Sequence, residues 1–137
     1  MLERLNAIAE EICLKYEAAY VLLFGSWAVG KMKSYSDIDL AVKLARLPED
    51  PIKVMSDIKW FVEESLDKNA DVDVVVLNGL SDSILKYEIY VSGKPLCVND
   101  PVKFFDDKVN AIDEYLDYEP HFRSFFEKAL GELHAIA

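Results

Sequence analysis

The chain has 137 residues with a formal net charge of −10, and 52% of its residues are hydrophobic. This length suits one globular domain, and the acidic balance argues against a nucleic-acid partner and favours a basic protein surface, because nucleic-acid affinity rests on cationic side chains. The sequence lacks both the ~20-residue apolar run that crosses a bilayer and a recognisable signal peptide, which predicts a cytoplasmic protein with no membrane partner and with Cys13 and Cys97 as reduced thiols.

The first third of the chain alternates helical and strand patterns. Apolar residues at helical spacing predict a helix over 2–19, and the apolar run 20–24 predicts a buried strand. A second helix is expected over about 26–34, starting at the Gly25-Ser26 turn, followed by a strand over 38–42. These elements predict that the turn lies where a buried strand ends.

The middle of the chain continues the alternation. Pro48 and Pro51 bracket a loop, and 52–66 reads as an amphipathic helix with Trp60 and Phe61 turned inward. The run 72–77 predicts a third strand. Trp27, Phe104 and Phe105 are further expected core residues, together with both cysteines.

The last part of the sequence is mainly helical. Residues 84–91 predict a helix, 92–95 a turn and 96–98 a short edge strand, and the pattern from Pro101 onward predicts helix in two pieces divided near Pro120. The order predicts an α/β (α+β) fold, a small mixed sheet with helices packed against it. We expect a single domain over 1–137, with a core of about 1–99 and a C-terminal helical extension of about 100–137.

Two aspartates open the second strand at positions i and i+2. Because strand side chains alternate, Asp37 and Asp39 project from the same face, roughly 7 Å apart at the backbone. Asp73 interrupts an otherwise apolar strand, where an ionised carboxylate needs a cation or hydrogen bonds to compensate it. Asp71 shares its face and stays an alternative, although it lies near a polar segment where water could satisfy it.

These carboxylates predict a metal site beside a phosphate cradle. Oxygen-only ligands favour Mg²⁺ or Mn²⁺ over zinc, and two such ions could hold a nucleoside triphosphate for in-line attack on phosphorus. The Gly25-Ser26 turn would bring backbone amides, and the expected helix a positive dipole end, towards the triphosphate. Nucleotidyl transfer is the chemistry that this combination indicates.

A P-loop overlaps the same segment but fits less well. Gly25, Gly30 and Lys31 have the right spacing, yet Met32 stands where the motif needs Ser or Thr to bind magnesium. The nucleotidyl-transfer interpretation is therefore preferred.

The complete pattern, Gly25-Ser26, ten residues, Asp37-Ile38-Asp39 and a later Asp73, resembles the polymerase-β-like nucleotidyltransferase superfamily. The short length, Gly93-Lys94-Pro95-Leu96 and Tyr115-Leu116-Asp117-Tyr118 resemble the minimal nucleotidyltransferases within it, the MNT antitoxins encoded beside HEPN-domain toxins. That resemblance implies ATP as substrate, two Mg²⁺ ions, and transfer of AMP to a tyrosine of a HEPN ribonuclease, with a hetero-oligomer of the two proteins as one possibility.

The resemblance also implies roles for individual residues. Gly25 and Ser26 would contact the triphosphate, Asp37, Asp39 and Asp73 would be catalytic and metal-binding, and Asp73 would help activate the attacking hydroxyl. Trp27 stands where many relatives have arginine, so Lys31 or Lys33 could supply the missing cation. Nucleotide-binding residues expected on these grounds are Gly25, Ser26, Lys31, Lys33 and Ser36, although Ser36 also suits a plain turn.

Two alternatives stay open. A non-enzymatic antitoxin would neutralise its partner by binding alone, and a third reading is nucleotidyl transfer to a small molecule. The acidic stretch 106–119 is the surface expected to attract a basic partner, or else a solvated helix face. A C-terminal apolar stripe is expected to pack internally or to dock a partner: Phe122, Phe125, Phe126, Leu130 and Leu133.

Overall fold

The computed structural model describes the backbone of residues 1–32, 37–67 and 70–136. In the last helix it describes the side chains as far as residue 117 and few of those that follow. These residues form four helices and four strands, and a 3-10 turn, Gly25–Trp27, separates the first two strands. The elements are α1 Leu2–Lys15, β1 Ala18–Phe24, β2 Ile38–Leu44, α2 Pro51–Ser65, β3 Val72–Val76, α3 Ser83–Ser92, β4 Lys94–Val98 and α4 Pro101–Ile136.

The four strands form one mixed sheet in the order β3-β2-β1-β4. Strand β1 pairs antiparallel with both β2 and β4, whereas β2 and β3 run parallel. The central strand β1 is buried along its whole length, because its seven residues are all apolar or aromatic and both faces of the sheet are covered by helices. The mixed sheet with packed helices confirms the fold class predicted from the sequence.

Each face of the sheet has its own core. Alternate residues of β1 and β2, such as Val21 and Leu40, pack with apolar residues of α1 and α2, among them Ile12 and Ile58. The opposite face packs against α3 and α4 and contains Tyr20, Leu22, Phe24, Ala41, Ile89 and Ala111. Since side chains alternate along a strand, Asp39 lies on this second face, between the positions of Ile38 and Leu40, which belong to the first core.

Polar contacts fix the second face to α4. The Tyr90 and Tyr20 hydroxyls are 2.5 Å apart, and the Tyr20 hydroxyl donates to Asp107 of α4 over 2.6 Å. Lys43 lies 3.7 Å from the same Asp107 carboxylate. The pKa of each tyrosine is raised, and burial is the largest cause. Both hydroxyls therefore stay protonated at neutral pH, and these hydrogen bonds persist.

Three expectations from the sequence are wrong in the described residues. No α-helix covers the described part of 26–34, because Gly25 and Gly30 both have φ of +73°, which a right-handed helix excludes. Trp60 and Phe105 are not core residues, since they are 65% and 67% exposed. Helix α4 is continuous through Pro120 rather than divided there; the proline removes one backbone hydrogen bond but does not end the helix.

The other helices and strands match their expected positions within a few residues. Phe61, Trp27 and Phe104 are partly buried against the cores, and Cys13 is buried. The C-terminal apolar stripe lies outside the described side chains, and the expected domain limits stay a prediction. Within the described part of the chain, no helix combines the length and apolarity needed to cross a membrane.

Candidate active site

The glycine turn lies against Asp39, the second aspartate of the predicted site. Gly25 follows directly after β1 with φ of +73°, and a Cβ built on it would overlap the Asp39 Oδ2 atom. The left-handed conformation and this close approach both require glycine. The turn therefore brings the backbone of residue 25 into contact with the Asp39 carboxylate, which is the proximity that the sequence pattern predicted.

Strand pairing aligns Asp39 with Asp73, whose side chain is exposed on the edge strand β3, so water reaches this carboxylate. Asp39 is the register partner of Phe24 on β1 and of Asp73 on β3, so these three residues form one row across the sheet. Adjacent strands are about 4.8 Å apart, and side chains in register project from the same face. Asp39 and Asp73 thus face the same side at neighbouring positions, beside the turn.

Asp37 and Asp71 occupy the approach to this row. Asp37 is exposed and immediately precedes β2, and the Ile38 amide donates to the Asp71 carbonyl over 2.9 Å. Asp71 is exposed one step before β3, out of register with Asp39. This placement favours Asp73 over Asp71 as the third carboxylate, which stays a prediction.

The electrostatics show that negative charges converge on Asp39. Its pKa is raised above the ordinary value first by burial and then by the charges of Asp73, Asp37 and Glu88. Glu88 lies on α3, exposed, and sequence patterns did not single it out, because its proximity to Asp39 depends on how α3 packs across the sheet. Three carboxylates thus act on the partly buried Asp39 through their charge.

This donor set fits Mg²⁺ or Mn²⁺. The converging groups are all carboxylates, the hard oxygen ligands these ions prefer, and a bound dication would relieve the repulsion that raises the Asp39 pKa. Among the residues the structure describes, no three acidic, His or Cys side chains already form a complete metal-ligand cluster. Asp37, Asp39 and Asp73 would hold the ion, which stays a prediction; Asp37 and Asp73 are exposed and Asp39 is partly buried.

The expected nucleotide-binding residues surround the turn. Ser26 is partly buried, and its carbonyl accepts a hydrogen bond from the Lys31 amide over 2.9 Å, which closes the turn. The Lys31 side chain is exposed, and Trp27 packs partly against the core. Because only a three-residue 3-10 turn begins at Gly25, the expected α-helix dipole is absent from this part of the site. Lys33 and Ser36 lie outside the described residues.

A comparison of the sequence with protein families gives one match over this region. Residues 6–102 match the family described as "Polymerase beta, Nucleotidyltransferase". The match spans the glycine turn and all three predicted aspartates, and the fold has the mixed sheet and packed helices of that class. The chain belongs to the polymerase beta nucleotidyltransferase family and is a nucleotidyltransferase.

Three solved structures with a similar fold are described as toxin-antitoxin structures. One, described as a toxin-antitoxin with AMP-PNP, has a TM-score of 0.72 at 21% identity, covering 91% of this chain and 98% of that one. The MntA-HepT toxin-antitoxin has a TM-score of 0.69 at 21% identity, covering 95% and 99%. A tri-AMPylated HEPN toxin with MNT antitoxin from Shewanella oneidensis has a TM-score of 0.64 at 22% identity, covering 95% and 99%. No curated protein matches the chain significantly.

Proposed function

We propose that this chain is an MNT-type antitoxin that transfers AMP from ATP to a tyrosine hydroxyl of a HEPN ribonuclease toxin, with Mg²⁺ as the metal. The observation that carries the proposal is the row of Asp39 and Asp73 across neighbouring strands, with Gly25 in contact with Asp39. This protein and the HEPN toxin would form a complex in which the transfer takes place.

The chain's own residues account for the steps the reaction needs. The turn at Gly25-Ser26 presents backbone to the triphosphate of ATP, with Lys31 near enough in sequence to add a cation. Bound Mg²⁺ ions would neutralise phosphate charge and lower the pKa of the attacking hydroxyl. Asp37, Asp39 and Asp73 would hold the metal, and Asp73 would also accept or orient the proton of the tyrosine, whose ordinary pKa is about 10. The tyrosine oxygen would bond to the α-phosphorus of ATP as the bond from that phosphorus to pyrophosphate breaks, and pyrophosphate would leave.

Three features of related proteins support the partner and the nucleotide. Matching structures carry AMP-PNP, a HEPN toxin or an AMPylated HEPN toxin, and this chain aligns with almost their full length. The net charge of −10 suits a basic protein acceptor better than a nucleic acid. At 21% and 22% identity these structures share the fold of this chain, and the substrate and the partner are what we propose.

The test is intact mass spectrometry of the proposed HEPN partner, purified and incubated with this protein, ATP and Mg²⁺. Wild-type protein should add one or more AMP groups, and Asp39→Ala should add none while it keeps its circular dichroism spectrum. Asp57→Ala, at an exposed aspartate of α2, is the matched control and should transfer normally. Normal transfer by Asp39→Ala would show that the site is misplaced.

Binding without catalysis is the second candidate, because the exposed acidic surface of α4 could neutralise a basic partner on its own. In that case Asp37→Ala would still inhibit the toxin's ribonuclease activity, and inhibition would need no ATP. Under the proposed mechanism, inhibition requires ATP and disappears in Asp37→Ala.

A further inference from the structure

Helix α4 carries an apolar stripe that does not belong to either core. Val102, Phe105, Val109 and Leu116 are 71%, 67%, 38% and 49% exposed, and Ile112 between them is partly buried. Their spacing is three, four, three and four residues, the pattern with which one helix packs along another. We call these five residues the α4 stripe.

The stripe lies on a different side of α4 from its contacts with the fold. Phe104 and Ala111 face the core, and Glu114 pairs with Lys86 of α3 over 2.6 Å. At about 100° per residue, the stripe is centred roughly 120° around the helix from Phe104 and Ala111, on the side away from Glu114. It is therefore open along at least four turns of the described helix.

Charge marks the outer border of the stripe. Asp106, Asp113 and Asp117 are exposed and follow it along its solvent side. Between residues 101 and 117, the half-buried Lys108 lies along the opposite border, nearer the core. A helix that lies on the stripe would meet these carboxylates at its flank. Basic residues there would gain complementary contacts, whereas an acidic flank would be repelled.

We propose that the α4 stripe is the docking surface for an amphipathic helix of the HEPN partner, with an apolar seam and Lys or Arg along one flank. This inference rests on the proposed function for the identity of the partner. A second copy of this chain is disfavoured as the occupant, because two molecules of net charge −10 would repel and would bring further acidic borders to the contact.

The position of the stripe also suits the proposed reaction. Helix α4 packs on α3, which carries Glu88, and on β1, which ends directly before Gly25. It lies on the same face of the sheet as Asp39 and Asp73. A partner held on α4 would thus approach from the side of the sheet on which the carboxylates lie. The stripe would bind the partner while the carboxylates act on its hydroxyl.

Titration calorimetry with the purified HEPN partner tests the surface, with every variant built on Asp39→Ala so that binding is read without transfer. Phe105→Asp should weaken binding about tenfold or more, as expected for a buried aromatic anchor. Trp60→Asp is the matched control, because Trp60 is 65% exposed on α2 against 67% for Phe105, and it should change the dissociation constant less than about twofold.

A second pair tests the charged border. Asp113→Lys should slow association and reduce its salt dependence, whereas Asp57→Lys, an exposed aspartate of α2, should leave both unchanged. Circular dichroism and urea titration verify that each variant is folded. With active protein, Phe105→Asp should raise KM for the HEPN partner and leave kcat unchanged.

Three results would overturn the docking surface. Equal effects of Phe105→Asp and Trp60→Asp would exclude it, as would wild-type protein that does not bind the partner. A stripe variant that abolishes self-association in light scattering, with partner binding intact, would assign the surface to a second copy. If the partner binds through the stripe but gains no AMP, the proposed reaction fails and the surface stands.

Discussion

Alanine substitution of two glycines separates backbone strain from the close approach in the active site. Gly25 and Gly30 share a φ of +73°, but a Cβ on Gly25 would overlap the Asp39 carboxylate, whereas a Cβ on Gly30 meets nothing within 4 Å. Gly30→Ala should cost about 1 kcal/mol for the left-handed conformation alone. Gly25→Ala adds displacement of the Asp39 side chain and should cost roughly 2–3 kcal/mol.

Urea titration followed by circular dichroism measures both costs as free energies of unfolding. The excess cost at Gly25 should disappear in an Asp39→Ala background, because the Asp39 Cβ lies 3.5 Å from the built atom, an ordinary contact. This double-mutant cycle assigns the excess to the carboxylate itself. Equal costs for the two glycines, or an excess that survives Asp39→Ala, would refute the contact between turn and carboxylate.

Three further substitutions follow from burial and electrostatics. The pKa of Asp39 is raised in the folded protein above its ordinary 3.8, so ionisation of this group weakens the fold as the pH rises from 3.8 through the folded pKa. Asp39→Asn should therefore be more stable than wild type at pH 7. Below the folded and the unfolded pKa of Asp39, urea titrations of the two proteins should agree. Since Asp39 is partly exposed, water limits the gain to about 1 kcal/mol. Tyr20→Phe should cost about 1–3 kcal/mol in the same assay, because Tyr90 and Asp107 lose their partner; no loss would contradict the network. Trp60→Ser should change the free energy of unfolding by less than about 0.5 kcal/mol, and a larger loss would mean that Trp60 is packed.

The strands and the aspartate spacing could be predicted from sequence because they depend on local pattern. The run 20–24 is apolar throughout, as a strand covered on both faces must be, and alternation in β3 separates Asp73 from its apolar neighbours. The i, i+2 spacing of Asp37 and Asp39 fixes a common face. What pattern did not provide was the register that sets Asp39 opposite Asp73.

The errors came from residues whose role depends on tertiary contacts. Helix α2 has apolar residues on several sides, so the sequence pattern did not decide which side faces the core. In the structure Ile58 and Val62 face the core, and Trp60 is exposed. The expected helix after Gly25 is wrong because Gly25 and Gly30 are both left-handed, a conformation that the local pattern did not indicate. Glu88 was missed because only the packing of α3 brings it near the site.

We expect Asp37, Asp39 and Asp73 to bind divalent metal beside the nucleotide. Titration calorimetry of Mn²⁺ in the presence of AMP-PNP tests it directly, with Asp73→Asn compared against Asp71→Asn, its neighbour two residues earlier. We expect wild type and Asp71→Asn to bind Mn²⁺ alike and Asp73→Asn to bind at least about tenfold more weakly. Unchanged binding by Asp73→Asn, or loss of binding in Asp71→Asn alone, would contradict the assignment.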